Sequence, residues 1–117
     1  MRALVAVLVV IAALAVVAVS SAKTVLKGTD GPGFTIRLTN AAGVPVKTLK
    51  AGTYALQVAD KSAIHNFHLT GPGVNKALTS IGFRGTKTVP VTLKPGRYIY
   101  LCDAHPSEIK ASFMVTR

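Results

Sequence analysis

After residue 22, no stretch of this sequence repeats its apolar residues every three to four positions. What recurs instead is a short run alternating apolar and polar residues, stopped by glycine or proline. A chain patterned in this way folds as strands. Phe34 to Thr39 (FTIRLT) alternates with period two, Thr53 to Val58 follows Ala51-Gly52, and Ala63 to Leu69 is closed by Gly71-Pro72-Gly73. Thr86 to Leu93 is rich in β-branched residues, Lys94-Pro95-Gly96 turns it into Arg97 to Cys102, and Ala111 to Thr116 alternates again. Short strands at this spacing predict an all-β fold, an antiparallel Greek-key sandwich. Leu49-Lys50-Ala51-Gly52-Thr53-Tyr54 is echoed by Leu93-Lys94-Pro95-Gly96-Arg97-Tyr98, which reads as one turn chemistry used twice.

Ahead of the strands, Leu4 to Val19 is an unbroken aliphatic run that follows Arg2 and ends at Ser20-Ser21-Ala22. A basic start, an apolar stretch and small residues are the parts of an export signal. The run is a little shorter than the ~20 residues of a spanning helix. The expectation is a signal helix within residues 1–22 that is cut on export, with a retained membrane anchor through residues 4–19 as the alternative. Either route delivers the rest of the chain outside the cytoplasm, to the periplasm or the extracellular space. Residues 23–33 then read as a linker and 34–117 as one domain, a size that can bury a working core unaided. The 50% hydrophobic content overstates that domain's apolarity, because the leader supplies much of it.

Fourteen Lys and Arg against four acids give a net charge of +10, or +9 once Arg2 leaves with the leader. The bases are scattered (Lys27, Arg37, Lys47, Lys61, Lys76, Arg84, Lys94), and no aromatic residues interleave them as nucleic-acid binding requires. Export excludes nucleic acid as a partner as well. The charge fits an acidic redox partner, association with an anionic membrane surface, or solubility alone.

Cys102 is the one cysteine, so no internal disulfide forms, and an unpaired thiol in an oxidising compartment calls for burial or engagement. Two segments offer the engagement: Ile64-His65-Asn66-Phe67-His68, and Tyr100-Leu101-Cys102-Asp103-Ala104-His105-Pro106. Cys102 ends a strand and His105 follows three residues later in a loop, which lets both side chains curl onto one ion. His65 stands on another expected strand, adjacent in a sandwich. Two imidazoles and a thiolate form the trigonal set that suits copper electron-transfer sites. Singly, His65 reads as a core histidine and Cys102 as a small buried hydrophobe; together, at this spacing, they read as ligands. His68, three residues from His65 on the same expected strand, points to the opposite face and reads as structural.

From about Phe34 to Arg117 the chain resembles a small bacterial cupredoxin, of the plastocyanin and azurin family. The motifs that carry the resemblance are His65-Asn66-Phe67 and Tyr98 to Pro106, followed by Ser112-Phe113-Met114-Val115. The resemblance implies one type 1 (blue) copper ion on His65, Cys102 and His105. It also implies a role for Asn66 in tying the two ligand loops together. It departs at the axial position, where such proteins usually carry methionine and this chain has Ile109; a nearby glycine position reads Ala111. Met114 shares strand parity with Ser112 and Thr116, away from the buried Phe113 and Val115, and is not expected at the metal. The site implied is a three-coordinate one shielded by hydrocarbon, with a raised reduction potential. Asp103 and Glu108 flank it.

The function expected is single-electron transfer with a partner protein. The alternatives are copper carriage or storage on the same residues, and a metal-free sandwich used for interaction. An enzyme is not expected. Multicopper oxidases and nitrite reductases need more histidines than the three present, and no hydrolytic triad or phosphate-binding glycine loop occurs.

Overall fold

The computed structural model describes residues 3, 5–13 and 23–117. The expected leader falls largely outside them, its cleavage site at 20–22 wholly so, and residues 5–13 form no regular element. Among the described residues, no helix is long and apolar enough to cross a membrane.

Nine strands follow: β1 (Thr24–Asp30), β2 (Ile36–Asn40), β3 (Thr48–Lys50), β4 (Gly52–Asp60), β5 (His68–Gly71), β6 (Val74–Ala77), β7 (Gly85–Leu93), β8 (Gly96–Leu101) and β9 (Lys110–Thr116). They form two sheets, ordered β2-β1-β4-β7 and β3-β9-β8-β5-β6. The expected all-β sandwich is the fold observed. Its sheets are mixed rather than wholly antiparallel, because β1 pairs with β4 and β3 with β9 in parallel. Between β1 and β4 the chain turns back in β2 and crosses to the other sheet in β3, so β4 returns in the direction of β1.

The core lies where the inward residues of both sheets meet. Leu26, Leu38, Leu56, Val58, Val91 and Leu93 come from the first sheet, and Leu69, Tyr98, Tyr100, Phe113 and Val115 from the second. Burying each such side chain contributes about 1.5–3 kcal/mol. Two aromatic stacks add shape: Phe67 on Tyr100 and Tyr98 on Phe113, each with ring centroids 5.3 Å apart. Gly71 has no side chain because the Tyr98 ring occupies that space. The echoed turns each bring a tyrosine hydroxyl onto the backbone of the lysine four residues earlier, but in opposite senses. Tyr54 donates from its hydroxyl to the Lys50 carbonyl at 2.6 Å, and the Tyr98 hydroxyl accepts from the Lys94 N–H at 3.0 Å.

Three departures from the sequence reading have physical causes. The segment 23–33, expected as a linker, contains β1, an interior strand of the first sheet. Its inward positions are Leu26, Gly28 and Asp30, so two of the three are not apolar and the alternation is invisible. Gly28 is small because the Phe67 ring packs there; a Cβ at Gly28 would lie 2.9 Å from Phe67 Cε2. The strand expected over 63–69 begins only at His68. His65, Asn66 and Phe67 are buried in succession, which no alternating strand allows. Their backbone turns instead to Leu78 and Thr79: the Phe67 N–H donates to Thr79 Oγ1 at 3.0 Å, and the Phe67 carbonyl accepts from Leu78 N at 2.8 Å. Lastly, β3 and β6, at three and four residues, are too short for a period to show.

Candidate metal centre

The site is built from two loops at one end of the sandwich. The first leaves β4 at Asp60 and reaches β5 at His68. Asp60 Oδ1 accepts from the Ser62 N–H at 3.2 Å, Ser62 Oγ from the Ile64 N–H at 3.3 Å, and the Ser62 carbonyl from the His65 N–H at 3.4 Å. This chain of short-range bonds sets the direction of His65. The second loop joins β8 to β9 and closes on itself. The His105 N–H donates to the Cys102 carbonyl at 3.1 Å, Ile109 N–H to the His105 carbonyl at 2.9 Å, and Cys102 N–H to the Ile109 carbonyl at 3.0 Å. Cys102, His105 and Ile109 thus hold one another through the backbone.

Across these loops, His65 Nδ1 stands 3.7 Å from Cys102 Sγ, and His105 Nδ1 stands 3.9 Å from it. All three donor atoms lie within 4.8 Å of one another. An ion held trigonally about 2.0 Å from a nitrogen and about 2.3 Å from a sulfur separates them by about 3.7 Å. The observed spacing fits that arrangement. Cys102 and His65 are buried, at 0% and 1% exposure, while His105 is half-buried. The three residues singled out in the sequence are therefore brought together, but His65 sits in a loop ahead of β5 and not on a strand.

Asn66 ties the two loops together. The Asp103 N–H donates to Asn66 Oδ1 at 2.8 Å, and Asn66 Nδ2 donates to Asp103 Oδ2 at 2.7 Å. Ile109 is buried at 1% exposure. His68 does not join the cluster. Its Nδ1 lies 3.0 Å from Asp103 Oδ2 and its Nε2 lies 2.6 Å from Asn75 Oδ1. Burial alone would lower the His68 pKa, but the bonds to Asn75 and Asp103 and the Asp103 charge outweigh it, and the net direction is upward. Burial would raise the Asp103 pKa, and Asn66 and His68 together bring it below the ordinary carboxylate value. Met114 is 47% exposed on the outer side of β9, as its parity predicts.

Two participants escaped the sequence reading. Phe34 packs edge-on against both imidazoles, with ring centroids 5.3 Å from His65 and 4.8 Å from His105. Nothing in a lone phenylalanine after Gly33 signals this. Asp30 and Asp60 are buried register partners at the ends of β1 and β4, where the loop that carries His65 begins. Both Asp30 carboxylate oxygens and Asp60 Oδ2 lack a hydrogen-bond partner. Burial, with the Asp60 carboxylate beside it, pushes Asp30 up to about 8.

No protein-family model matches the chain, and no curated protein matches it. Solved structures do. The copper protein rusticyanin superposes with a TM-score of 0.56 at 17% identity, over 82% of this chain and 80% of that one. Rusticyanin from Thiobacillus ferrooxidans gives 0.51 at 19% identity, over 82% and 79%. A rusticyanin variant with one methionine replaced by leucine gives 0.57 at 18% identity, over 83% and 79%. The chain has the cupredoxin fold, as its motifs implied. Within that fold the His65, Cys102 and His105 donors meet at one end of the sandwich.

Proposed function

We propose that this protein is a blue-copper electron carrier working outside the cytoplasm, exchanging single electrons with a partner protein. The observation that carries this reading is the convergence of His65 Nδ1, Cys102 Sγ and His105 Nδ1 within 4.8 Å, on a cupredoxin fold. Copper, when bound, supplies a one-electron couple between its cupric and cuprous states. Imidazole nitrogen suits the first state and thiolate sulfur the second. The protein's part is to hold one donor geometry for both. The bonded ring from Cys102 to Ile109 and the Asn66–Asp103 tie favour that, since neither depends on the oxidation state.

Each residue has a distinct task. Cys102, fully buried, keeps its sulfur from oxidants and would bind copper as the thiolate, its proton being released to water. His65 closes the inner side, and half-buried His105 presents an edge toward solvent through which a partner is reached. Ile109 offers hydrocarbon where related proteins offer a thioether, which disfavours the cupric state and raises the potential. The aliphatic run of residues 4–19 supports export to the periplasm or beyond.

The test is the visible spectrum of the protein after addition of cupric ion. An intense blue thiolate-to-copper band, absent in Cys102→Ser, is the expected result. A folded protein that stays colourless and holds no copper would overturn the reading.

A further inference from the structure

The charge of this protein is almost entirely unopposed on its own surface. Of four side-chain carboxylates, Asp30 and Asp60 are buried together, Asp103 is engaged by Asn66 and His68, and only Glu108 is left exposed and free, away from the groove. Among the described residues the one ion pair is His68–Asp103. The bases thus face solvent without acidic partners, and three of them converge. Lys27 on β1, Arg37 on β2 and Lys61 just past β4 line a groove of about 550 Å³, interleaved with Thr29, Thr35 and Thr39. No carboxylate lines it.

The sheet register sets the spacing of these cations. Thr29 is the partner of Arg37 and Asp30 the partner of Asp60, so Arg37 stands level with position 29, and Lys61, whose N–H donates to the Asp30 carbonyl at 3.0 Å, follows just past the Asp30 level. Lys27 stands at its own level. Lys27 and Arg37 are therefore offset by two residues, about 6.6 Å along the strand direction, and Lys61 lies further on in the same direction, past the strand ends. Side chains on one face of an extended peptide repeat at the same interval. One part of the groove wall is close in sequence to a residue of the metal site. Gly31 and Pro32 form that part, and Phe34, two residues on, packs against His65 and His105.

We infer that this groove is the docking site for an extended acidic segment of the redox partner, with Asp or Glu at alternate positions. Seated there, the segment brings its protein beside the solvent edge of His105. The partner's redox role rests on the copper reading; the binding of the segment does not. A bilayer presents a plane, which is a poorer match to a concave floor with cations at strand spacing.

The experiment measures binding of a short fluorescent peptide alternating Glu and Ser to the full chain, with and without copper. The groove variant carries Lys27→Gln, Arg37→Gln and Lys61→Gln; a control loses the same charge through Lys47→Gln, Lys87→Gln and Lys94→Gln. The groove variant should bind the peptide about tenfold more weakly, the order expected of three exposed ion pairs, and the control about twofold or less. Equal weakening in both variants would overturn the inference, since general charge would then suffice. So would a wild-type protein with no affinity for the peptide, or a groove variant that loses affinity only for vesicles of anionic lipid. The blue band is read on the same samples. Peptide binding confined to the groove in a chain that takes no copper would keep the acidic-segment site and remove only the copper reading.

Discussion

Asn66 and Asp103 grip each other twice, through a backbone N–H on one side and a side-chain amide on the other, at 2.8 and 2.7 Å. One follows His65 and the other follows Cys102, so this pair of hydrogen bonds links the two ligand loops directly beside the donors. Asn66 is 2% exposed, which shelters its own end of both bonds from water. The expected result of Asn66→Ala is a copper affinity weakened about 10- to 100-fold, the range found when groups supporting metal ligands are removed. Copper competition titration measures it, and far-UV circular dichroism confirms that the sandwich persists. An affinity equal to wild type would show that the backbone ring of the second loop suffices alone.

How much of this was readable beforehand divides by the kind of signal. Strands β2, β4, β7, β8 and β9 showed themselves because apolar residues fill alternate positions. β1 did not, because Gly28 makes room for Phe67 and Asp30 pairs with Asp60; both demands come from other parts of the fold. His65, Cys102 and His105 were legible as donors from residue type and spacing. The tie at Asn66 came from a family resemblance, while its partner Asp103 read only as a loop carboxylate. Phe34 and the buried acid pair were out of reach, because their meaning depends on which loops meet in space.

Ile109 tests the axial argument. In the proposed reading it stands where a thioether donor would otherwise face the metal, and a methionine there should stabilise the cupric state. The expected outcome of Ile109→Met is a lower reduction potential. A tenfold change in the relative affinity for the two oxidation states corresponds to about 59 mV for a one-electron couple, and the shift should be of that order. Redox titration by the visible band decides it; an unchanged or higher potential would rule out axial control at this position.

Gly28 links the core to the site. A Cβ there would lie 2.9 and 3.1 Å from two carbons of the Phe67 ring, which is itself fully buried against Tyr100. Gly28→Ala should therefore cost about 1–3 kcal/mol of stability, as overpacking does. Because Phe67 directly follows Asn66, copper affinity should fall with it. Urea denaturation and copper titration of the one variant read both effects. A loss of stability with unaltered affinity would show that the ring's displacement is absorbed before it reaches Asn66.

Asp30 makes stability depend on alkali rather than acid. Burial, then the neighbouring Asp60 carboxylate, raise its pKa from 3.8 to about 8. Between those values the folded protein binds a proton that the unfolded chain releases. A proton on Asp30 also supplies a donor between the two carboxylates, where both Asp30 oxygens and Asp60 Oδ2 have no partner. The sign follows from proton binding: where the folded state holds more protons, stability falls as pH rises. The contribution is complete below the unfolded value near 4 and fades as pH climbs toward about 8. One proton sets a limiting slope of about 1.4 kcal/mol per pH unit. Asp30→Asn, whose amide donates to Asp60 without titrating, should flatten that slope and stabilise the protein at pH 7 by roughly 1–3 kcal/mol. Urea midpoints from pH 5 to pH 9 measure both. A wild-type stability that stays level across this range would mean that Asp30 ionises without opposition, and that the buried pair is satisfied by water or by a cation.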